Sequence, residues 1–431
     1  MVSDSITVNE SGHLCVSGAD TVALAEKYGT PLLVYSEDGV RRNCRKFVSS
    51  MRENYDSNGL VMYASKAFSC LEMYRICNQE NMGVDVVSGG ELCTALKAGF
   101  PAERILFHGN NKTAREIDLA LENGVGRFVV DNFEELSRLD DAAGAKGLRP
   151  RVLLRITPGI DAHTHDFIKT GTIDSKFGFT LENGDALEAV RVTLTKKNVT
   201  LVGLHCHIGS QIFDIDPFEH AALVMLDFLQ EIRAQTGAEL PELNLGGGFG
   251  IKYLESDDPE DFTEYMKRVA AVVKARCAEL DLRVPFIMIE PGRSVVGAEC
   301  VTLYTVGGVK RIPGVRTYVS VDGGMTDNPR YILYQASYEL VCANKAAAPR
   351  DACVTLAGKC CESGDLIQEN APVQTVSSGD VMAVLSTGAY NYSMASNYNR
   401  VPRPAVVMVR GGEDRLIIRR ETEEDLTRLD L

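Results

Sequence analysis

The chain has 431 residues, of which 45% are hydrophobic and 24% charged, and a formal net charge of −14. That length is too great for one ordinary core and predicts two domains. The acidic balance excludes the clustered Lys/Arg that nucleic acid or an anionic membrane surface requires. No apolar run is long enough to span a membrane, and MVSDSITVNESGHL lacks the basic-then-apolar order of a secretory leader, so a cytoplasmic protein is expected. The twelve cysteines are irregularly spaced, include no C-x-x-C pair, and mostly sit in apolar runs (Cys77, Cys93, Cys342). Buried reduced thiols are expected there.

The first 30 or so residues contain one strand-like run, ITVNESGHLCV, expected to join a β-rich region elsewhere. From residue 60 a different rhythm begins. Eight short apolar runs follow in order: LVMYAS, GVDVVS, RILFHG, RFVVDN, RVLLRI, LVGLHCHIG, ELNLGGG and FIMIEPG. Between them lie stretches such as EMYRICNQEN and FEHAALVMLDFLQEIRAQTG, apolar at intervals of three and four. Nearly continuous apolar strands alternating with helices indicate parallel strands buried on both faces. Eight such units predict a (β/α)8 TIM barrel, with an open doubly wound sheet as the structural rival. After Gly297 the runs CVTLYTVGGVKRI, RTYVSVDGG, YELVCA, DACVTLAG, DVMAVLSTGAY, PAVVMVRGG and RLIIRRE are separated by turn residues and predict an antiparallel β domain. The expected division is a barrel over 33–297, with 1–32 and 298–431 forming the β domain.

In such a barrel the reactive groups stand at the C-terminal strand ends. Read in order, those ends carry Lys66; Asp85 and Ser88; His108; Asp131; Arg155; His205, His207 and Ser210; Gly246–Gly248; and Glu290 with Arg293. Lys66 is either a lysine that snorkels to water or an amine able to form an imine with an aldehyde. NLGGGFG is either a plain tight turn or a cradle whose backbone N–H groups approach a phosphate. Glu290, behind the apolar FIMI, is either a structural ion-pair partner or an acid facing a cationic ring nitrogen. His205 and His207 point the same way on a strand. No third ligand accompanies them at a recognisable spacing, so no metal is assigned, and an imidazole lying on a planar cofactor is the alternative. Taken together, an amine, a phosphate cradle, a ring-facing acid and a stacking histidine point to pyridoxal 5′-phosphate.

YASKA, HGNNKT, TPGIDAHTHDFIKTGTIDSKFGF, HCHIGSQ, LNLGGGFG, EPGRS, DNPRYILY, CCESGD and GAYNYSMASNYN resemble the motifs of the diaminopimelate decarboxylase family. That family belongs to the fold III group of pyridoxal phosphate enzymes, with ornithine decarboxylase and alanine racemase as relatives. The resemblance runs in order from about residue 30 to residue 405. It implies an alanine-racemase-type barrel followed by a β-sandwich or barrel domain that contributes to the active site and the dimer interface. It implies that Lys66 holds the cofactor as an imine and that His207 stacks on its ring. Ser210, Gly247, Gly248, Gly292, Arg293 and Tyr390 are implied to hold the phosphate, and Glu290 the ring nitrogen. Asp85 and Arg155 are implied near the ring hydroxyl and Lys66. Arg293, Arg330, Tyr334, Glu362 and Tyr390 are implied to bind substrate, with Cys361 as proton donor. Cys361 and Glu362 are implied to reach the partner's active site in an obligate homodimer. Burial is expected to keep the Cys361 thiol protonated. The acidic stretch YLESDDPEDF matches the family pattern loosely and receives no role.

The implied reaction is decarboxylation of meso-diaminopimelate to L-lysine. Ornithine or lysine presents one distal ammonium, which needs only an acid in the pocket. Diaminopimelate presents a whole amino-acid group, which needs a cation as well, and Arg330 with Glu362 would supply both. The alternatives are a fold III decarboxylase of ornithine, arginine or carboxynorspermidine, and a pyridoxal phosphate racemase.

Overall fold

The computed structural model describes residues 2–160 and 175–431. The DAHTHDFIKTGTID part of one family-like block therefore lies outside the described residues. Two compact units divide the chain. One comprises 44–250 and 259–292; the other comprises 1–43, 251–258 and 293–431. The acidic stretch 253–262, which received no role, is divided: 253–258 groups with the second unit and 259–262 with the first.

The first unit is built on strands β5 (Gly59–Ala64), β6 (Gly83–Val86), β7 (Ile105–Phe107), β8 (Arg127–Val130), β9 (Arg151–Thr157), β10 (Phe179–Thr180), β11 (Thr200–Cys206), β12 (Glu242–Asn244) and β13 (Phe286–Ile289). They are numbered after four strands of the other unit that precede them in the chain. All pairings are parallel, and β13 pairs with β5 while β8 pairs with β9. The sheet thus closes through eight strands, with short β10 continuing alongside β9. This is the expected barrel, and closure disposes of the open-sheet rival. Its interior is filled by Met62, Leu106, Val129, Leu153, Val202 and Met288 from six different strands.

This core layer explains where the polar groups fall. Side chains two residues apart on a strand share a face. His108, Asp131, Arg155 and Glu290 each follow a core residue by two, so they share its inward face one layer nearer the C-terminal rim. On β11 a bulge at Val202 resets the register, and His205 pairs with Arg155. Helices run between the strands with ordinary caps. Ser88, expected among the strand-end groups, caps the helix Gly89–Lys97 by accepting the Glu91 N–H at 3.2 Å.

The second unit holds β1 (Ile6–Val8), β2 (Leu14–Val16), β3 (Ala19–Asp20) and β4 (Leu32–Ser36). It also holds β14 (Cys300–Ile312), β15 (Arg316–Val321), β16 (Leu340–Cys342), β17 (Ala352–Ala357), β18 (Leu366–Val373), β19 (Val381–Val384), β20 (Ala405–Arg410) and β21 (Glu413–Ile418). The large sheet runs β18-β17-β15-β14-β4-β20-β21, with β19 beside β14 and β16 beside β19. Most pairings are antiparallel, as expected, but β15–β17 and β4–β20 are parallel. The N-terminal strands do not join this sheet. They form a separate three-stranded meander, and β4 is the N-terminal segment that enters the sheet. The meander still shares a core with it, through Leu14, Val16, Val34, Val301 and Val407.

Candidate active site

Lys66 lies in the short turn Ser65–Ala67 that follows β5. Its side chain is exposed and has no hydrogen-bond or ion-pair partner among the described residues. The turn beneath it is fixed from two sides. The Ser65 N–H donates to the Asp85 carboxyl at 3.2 Å, and the Ser65 hydroxyl donates to the Asp85 carbonyl. On the other side, the Ala64 N–H donates to the Pro291 carbonyl at 3.0 Å. A Cβ on Gly292 would come within 2.9 Å of the Ala64 Cβ. The small residues of YASKA and the glycine of EPGRS thus meet, and a free amine is presented above them.

Glu290 is the electrostatic centre of this unit. One carboxylate oxygen takes the His108 Nε2 at 2.6 Å and the Asn244 amide at 2.8 Å, and the other lies 3.3 Å from the His205 Nε2. Burial alone would push this acid up, but the charges of His108 and His205, and then their hydrogen bonds, hold it well below the usual carboxylate range. Burial pushes both imidazoles down, His205 to about 4, against the pull of Glu290. Asp85 behaves in the opposite way. Burial, and then the negative charge of Glu290, push its carboxyl well above the ordinary range. His108, His205 and Glu290 also bring their donor atoms within 4.8 Å of one another, the composition of a metal site. Their hydrogen bonds to one another and to Asn244 account for the cluster without an ion.

His207 sits beyond the end of β11. Burial, followed by the charges of Lys66 and Arg155, pushes it well below its ordinary value. Its Nδ1 accepts the Gly247 N–H at 3.2 Å, so the proton of the neutral ring is on Nε2. The glycine run packs close: a Cβ on Gly246 would lie 2.4 Å from the Cys206 carbonyl, on Gly247 2.2 Å from the Glu290 carbonyl, and on Gly248 2.7 Å from the Gly209 carbonyl. Any side chain at these positions would drive the loop off the strand ends. Ser210 is half-buried on the loop after β11. Arg155 is buried over the Phe177 ring at 4.1 Å, with Asp131 at 3.8 Å. Lys112, the lysine of HGNNKT, is wholly buried on Glu135 at 2.7 Å and two backbone carbonyls. It is a structural cation.

The second unit contributes a separate cluster. Arg293 and Arg330 are both buried, and each donates its Nη1 to the hydroxyl of Tyr253. Arg330 also donates to the Tyr338 hydroxyl at 2.8 Å, and its Nε has no hydrogen-bond partner among the described residues. No carboxylate among the described residues lies within ion-pair distance of Arg330. Burial opposes its charge, but Tyr253 and Tyr338 outweigh it and hold the guanidinium above its ordinary value. Tyr390, half-buried and with φ of 73°, lies under Arg293 at 4.7 Å and Arg330 at 5.8 Å. Tyr334 ends the short helix that Arg330 begins.

Cys361 and Glu362 are exposed, so the expected burial of the Cys361 thiol is absent in the single chain. The Cys361 N–H donates to Asn399, and Glu362 accepts the Gly364 N–H. Both thiols of the Cys360–Cys361 pair are free, and burial pushes Cys360 up to about 11. Cys93, expected inside, is exposed on its helix. Sequence reading missed the parts played by Asn244 and Tyr253, and it placed His108 at a strand end without a partner.

An exposed amine, an ionised buried acid, a neutral imidazole and a glycine cradle together fit pyridoxal phosphate. Residues 38–297 match the family of pyridoxal-dependent decarboxylases through its pyridoxal-binding domain. The chain is 51% identical to diaminopimelate decarboxylase of Bacillus subtilis, over 98% of this chain and 96% of that one.

The chain belongs to the diaminopimelate decarboxylases.

Diaminopimelate decarboxylase of Bacillus methanolicus is 50% identical over 96% of each chain. The crystal structure of diaminopimelate decarboxylase from M. jannaschii in complex with L-lysine superposes with a TM-score of 0.91 at 34% identity, covering 100% of this chain and 98% of that one. Membership in this family makes the chain a carboxy-lyase dependent on pyridoxal 5′-phosphate. No helix among the described residues is long and apolar enough to cross a membrane.

Proposed function

We propose that the protein decarboxylates meso-2,6-diaminopimelate to L-lysine and carbon dioxide, the last step of lysine biosynthesis, as a cytoplasmic homodimer. The observation that carries the substrate choice is Arg330, a buried guanidinium with no carboxylate at ion-pair distance among the described residues. An uncompensated buried cation is costly unless a ligand supplies the anion. A substrate with a second carboxylate does so, whereas ornithine, lysine and arginine have none to spare.

Pyridoxal phosphate, when bound, supplies an aldehyde for the substrate amine and an electron-withdrawing ring that takes up the electron pair left by departing carbon dioxide. Lys66 would hold the cofactor through its aldehyde. Glu290, held low by His108 and His205, would face the ring nitrogen and favour its protonated form. His207 would pack against the ring, and Asp85 with Arg155 would orient the Lys66 turn and the ring hydroxyl. Ser210, Gly247, Gly248, Gly292, Arg293 and Tyr390 would hold the phosphate. Arg330, Tyr334 and Glu362 bind the distal amino-acid group, Arg330 its carboxylate and Glu362 its ammonium. Cys361 delivers a proton to the carbon that has lost its carboxylate. Exposure of Cys361 and Glu362 in the single chain supports a role for both in completing the partner's site.

The test is product analysis after incubating the purified holoenzyme with meso-diaminopimelate. Stoichiometric L-lysine and carbon dioxide are expected. Carbon dioxide from ornithine or arginine but none from diaminopimelate would favour the other decarboxylases. Stereochemical inversion without carbon dioxide would mean a racemase.

A further inference from the structure

Tyr253 opens the acidic stretch 253–262, which received no role from the sequence. The loop that carries it is firmly held. The N–H groups of Tyr253 and Leu254 both donate to Asp257, at 2.9 and 3.0 Å, and the Lys252 carbonyl accepts the Ser386 hydroxyl. The Tyr253 ring is buried, edge-on to Tyr338 at 5.7 Å, and lies 5.6 Å from the Arg293 guanidinium and 5.1 Å from that of Arg330.

The hydroxyl oxygen accepts from Arg293 and, at 3.0 Å, from Arg330. A phenol oxygen has two lone pairs and one proton. Both lone pairs are therefore taken by guanidinium N–H groups. The proton is left over, and it has no acceptor among the described residues. A hydroxyl polarised by two buried cations is a strong donor, and the acceptor that suits it is an anion.

We propose that Tyr253 is a specificity-determining residue: its hydroxyl donates to the substrate carboxylate that Arg330 binds. This deepens the diaminopimelate reading and rests on it. The two arginines supply charge, and the tyrosine supplies a donor of fixed direction while keeping their guanidinium groups in place.

The product makes a clean probe. L-lysine keeps the one carboxylate that the reaction does not remove, and 1,5-diaminopentane is the same molecule without it. In holoenzyme carrying Tyr253→Phe, the KM for meso-diaminopimelate and the inhibition constant of L-lysine should both rise by about 10- to 100-fold, the range for a hydrogen bond to a charged group. Inhibition by 1,5-diaminopentane should stay within about twofold, since a hydroxyl with no carboxylate to meet contributes nothing to that ligand. Melting temperature and cofactor absorbance should match the wild type. Equal weakening of both inhibitors would mean that Tyr253 only supports its neighbours, and no weakening of either would mean that it has no part in recognition. Each result overturns the proposal. Failure of the wild-type enzyme itself to turn over diaminopimelate would instead overturn the function on which this proposal rests.

Discussion

His108 Nε2 lies 2.6 Å from the Glu290 carboxylate, just above the barrel's core layer at the strand ends. His108 follows the core residue Leu106 by two positions, and Glu290 follows Met288 by two, so each reaches inward from its own strand. Burial pushes the imidazole down, and its interaction with the carboxylate helps to hold the acid well below its ordinary range. Replacing it should therefore weaken whatever needs that negative charge. His108→Leu is expected to lower cofactor affinity and kcat by about 10- to 100-fold, the worth of a donor to a buried charge. His108→Gln, which keeps an N–H donor, should recover most of the loss. Cofactor titration of the apoenzyme, followed by steady-state kinetics, checks this. Equal affinity in wild type and His108→Leu would show that Asn244 and His205 suffice.

The lysine of HGNNKT separates structure from chemistry. Lys112 is paired with Glu135 at 2.7 Å, and both side chains are almost wholly inaccessible. Burial pushes the amine down and the acid up, but each has its partner. Breaking a buried pair from one side leaves the other charge exposed to the dry interior and costs about 3–5 kcal/mol. Lys112→Met should lower stability by that amount in urea unfolding, while the Lys112→Met/Glu135→Leu double variant should recover much of it. Cofactor content of the surviving folded enzyme should be normal. A kcat lost in proportion to wild-type fold content would be consistent with a structural cation; loss of kcat in fully folded enzyme would contradict it.

The barrel was legible because its strands are continuous apolar runs with helices between them, and both periods survive in the sequence. The placement of Lys66, Asp85, Arg155, His207 and Glu290 at the strand ends was legible for the same reason, since strand ends can be located once strands are. Other features were hidden for physical causes. LIQENAPV, now β18, interrupts its apolar residues with Gln-Glu-Asn and carries a proline, so it does not resemble a strand. The N-terminal meander is made of strands two or three residues long, too short for a period to show where they pair. Tyr253 lies in an acidic, aperiodic loop, and its importance comes from two arginines 40 and 77 residues away. Burial of Cys361 was inferred from the barrel top, but in the chain itself that loop is exposed.

Asp327 offers a pH test of the second unit. It is buried and accepts from Tyr304 and from the Gly324 N–H at 3.0 Å. Burial pushes its carboxyl up to about 7, even though these hydrogen bonds oppose the shift. In the unfolded chain the group titrates near 4. Between those values the folded protein binds the additional proton, so the contribution to stability is full below pH 4 and is lost as pH rises through 7. Asp327→Asn removes the titration and keeps the shape. The melting temperature of the variant relative to wild type should therefore climb from pH 5 to pH 8. A constant difference across that range would show that Asp327 is not protonated in the native protein.

Asp365, the last residue of CCESGD, ties two loops together. One of its oxygens accepts the Met325 N–H at 2.6 Å, on the loop that leads to Arg330, and the other accepts the Cys360 N–H at 2.7 Å, next to Cys361. Cβ atoms on Gly324 and Gly358 would fall within 2.4 Å of this carboxyl group, so glycines close the space around it. An amide in its place can accept with only one end and must turn an NH2 toward a backbone N–H. Asp365→Asn should therefore release the Cys360–Glu362 turn and lower kcat by about tenfold or more, with cofactor absorbance unchanged. Cys361→Ala, which removes a general acid, should lower kcat by about 10²- to 10⁴-fold. If Asp365 acts by positioning Cys361, the two losses will not add, and Asp365→Asn in the Cys361→Ala background will change kcat little. Full multiplication of the two effects would show that Asp365 works through some other part of the site.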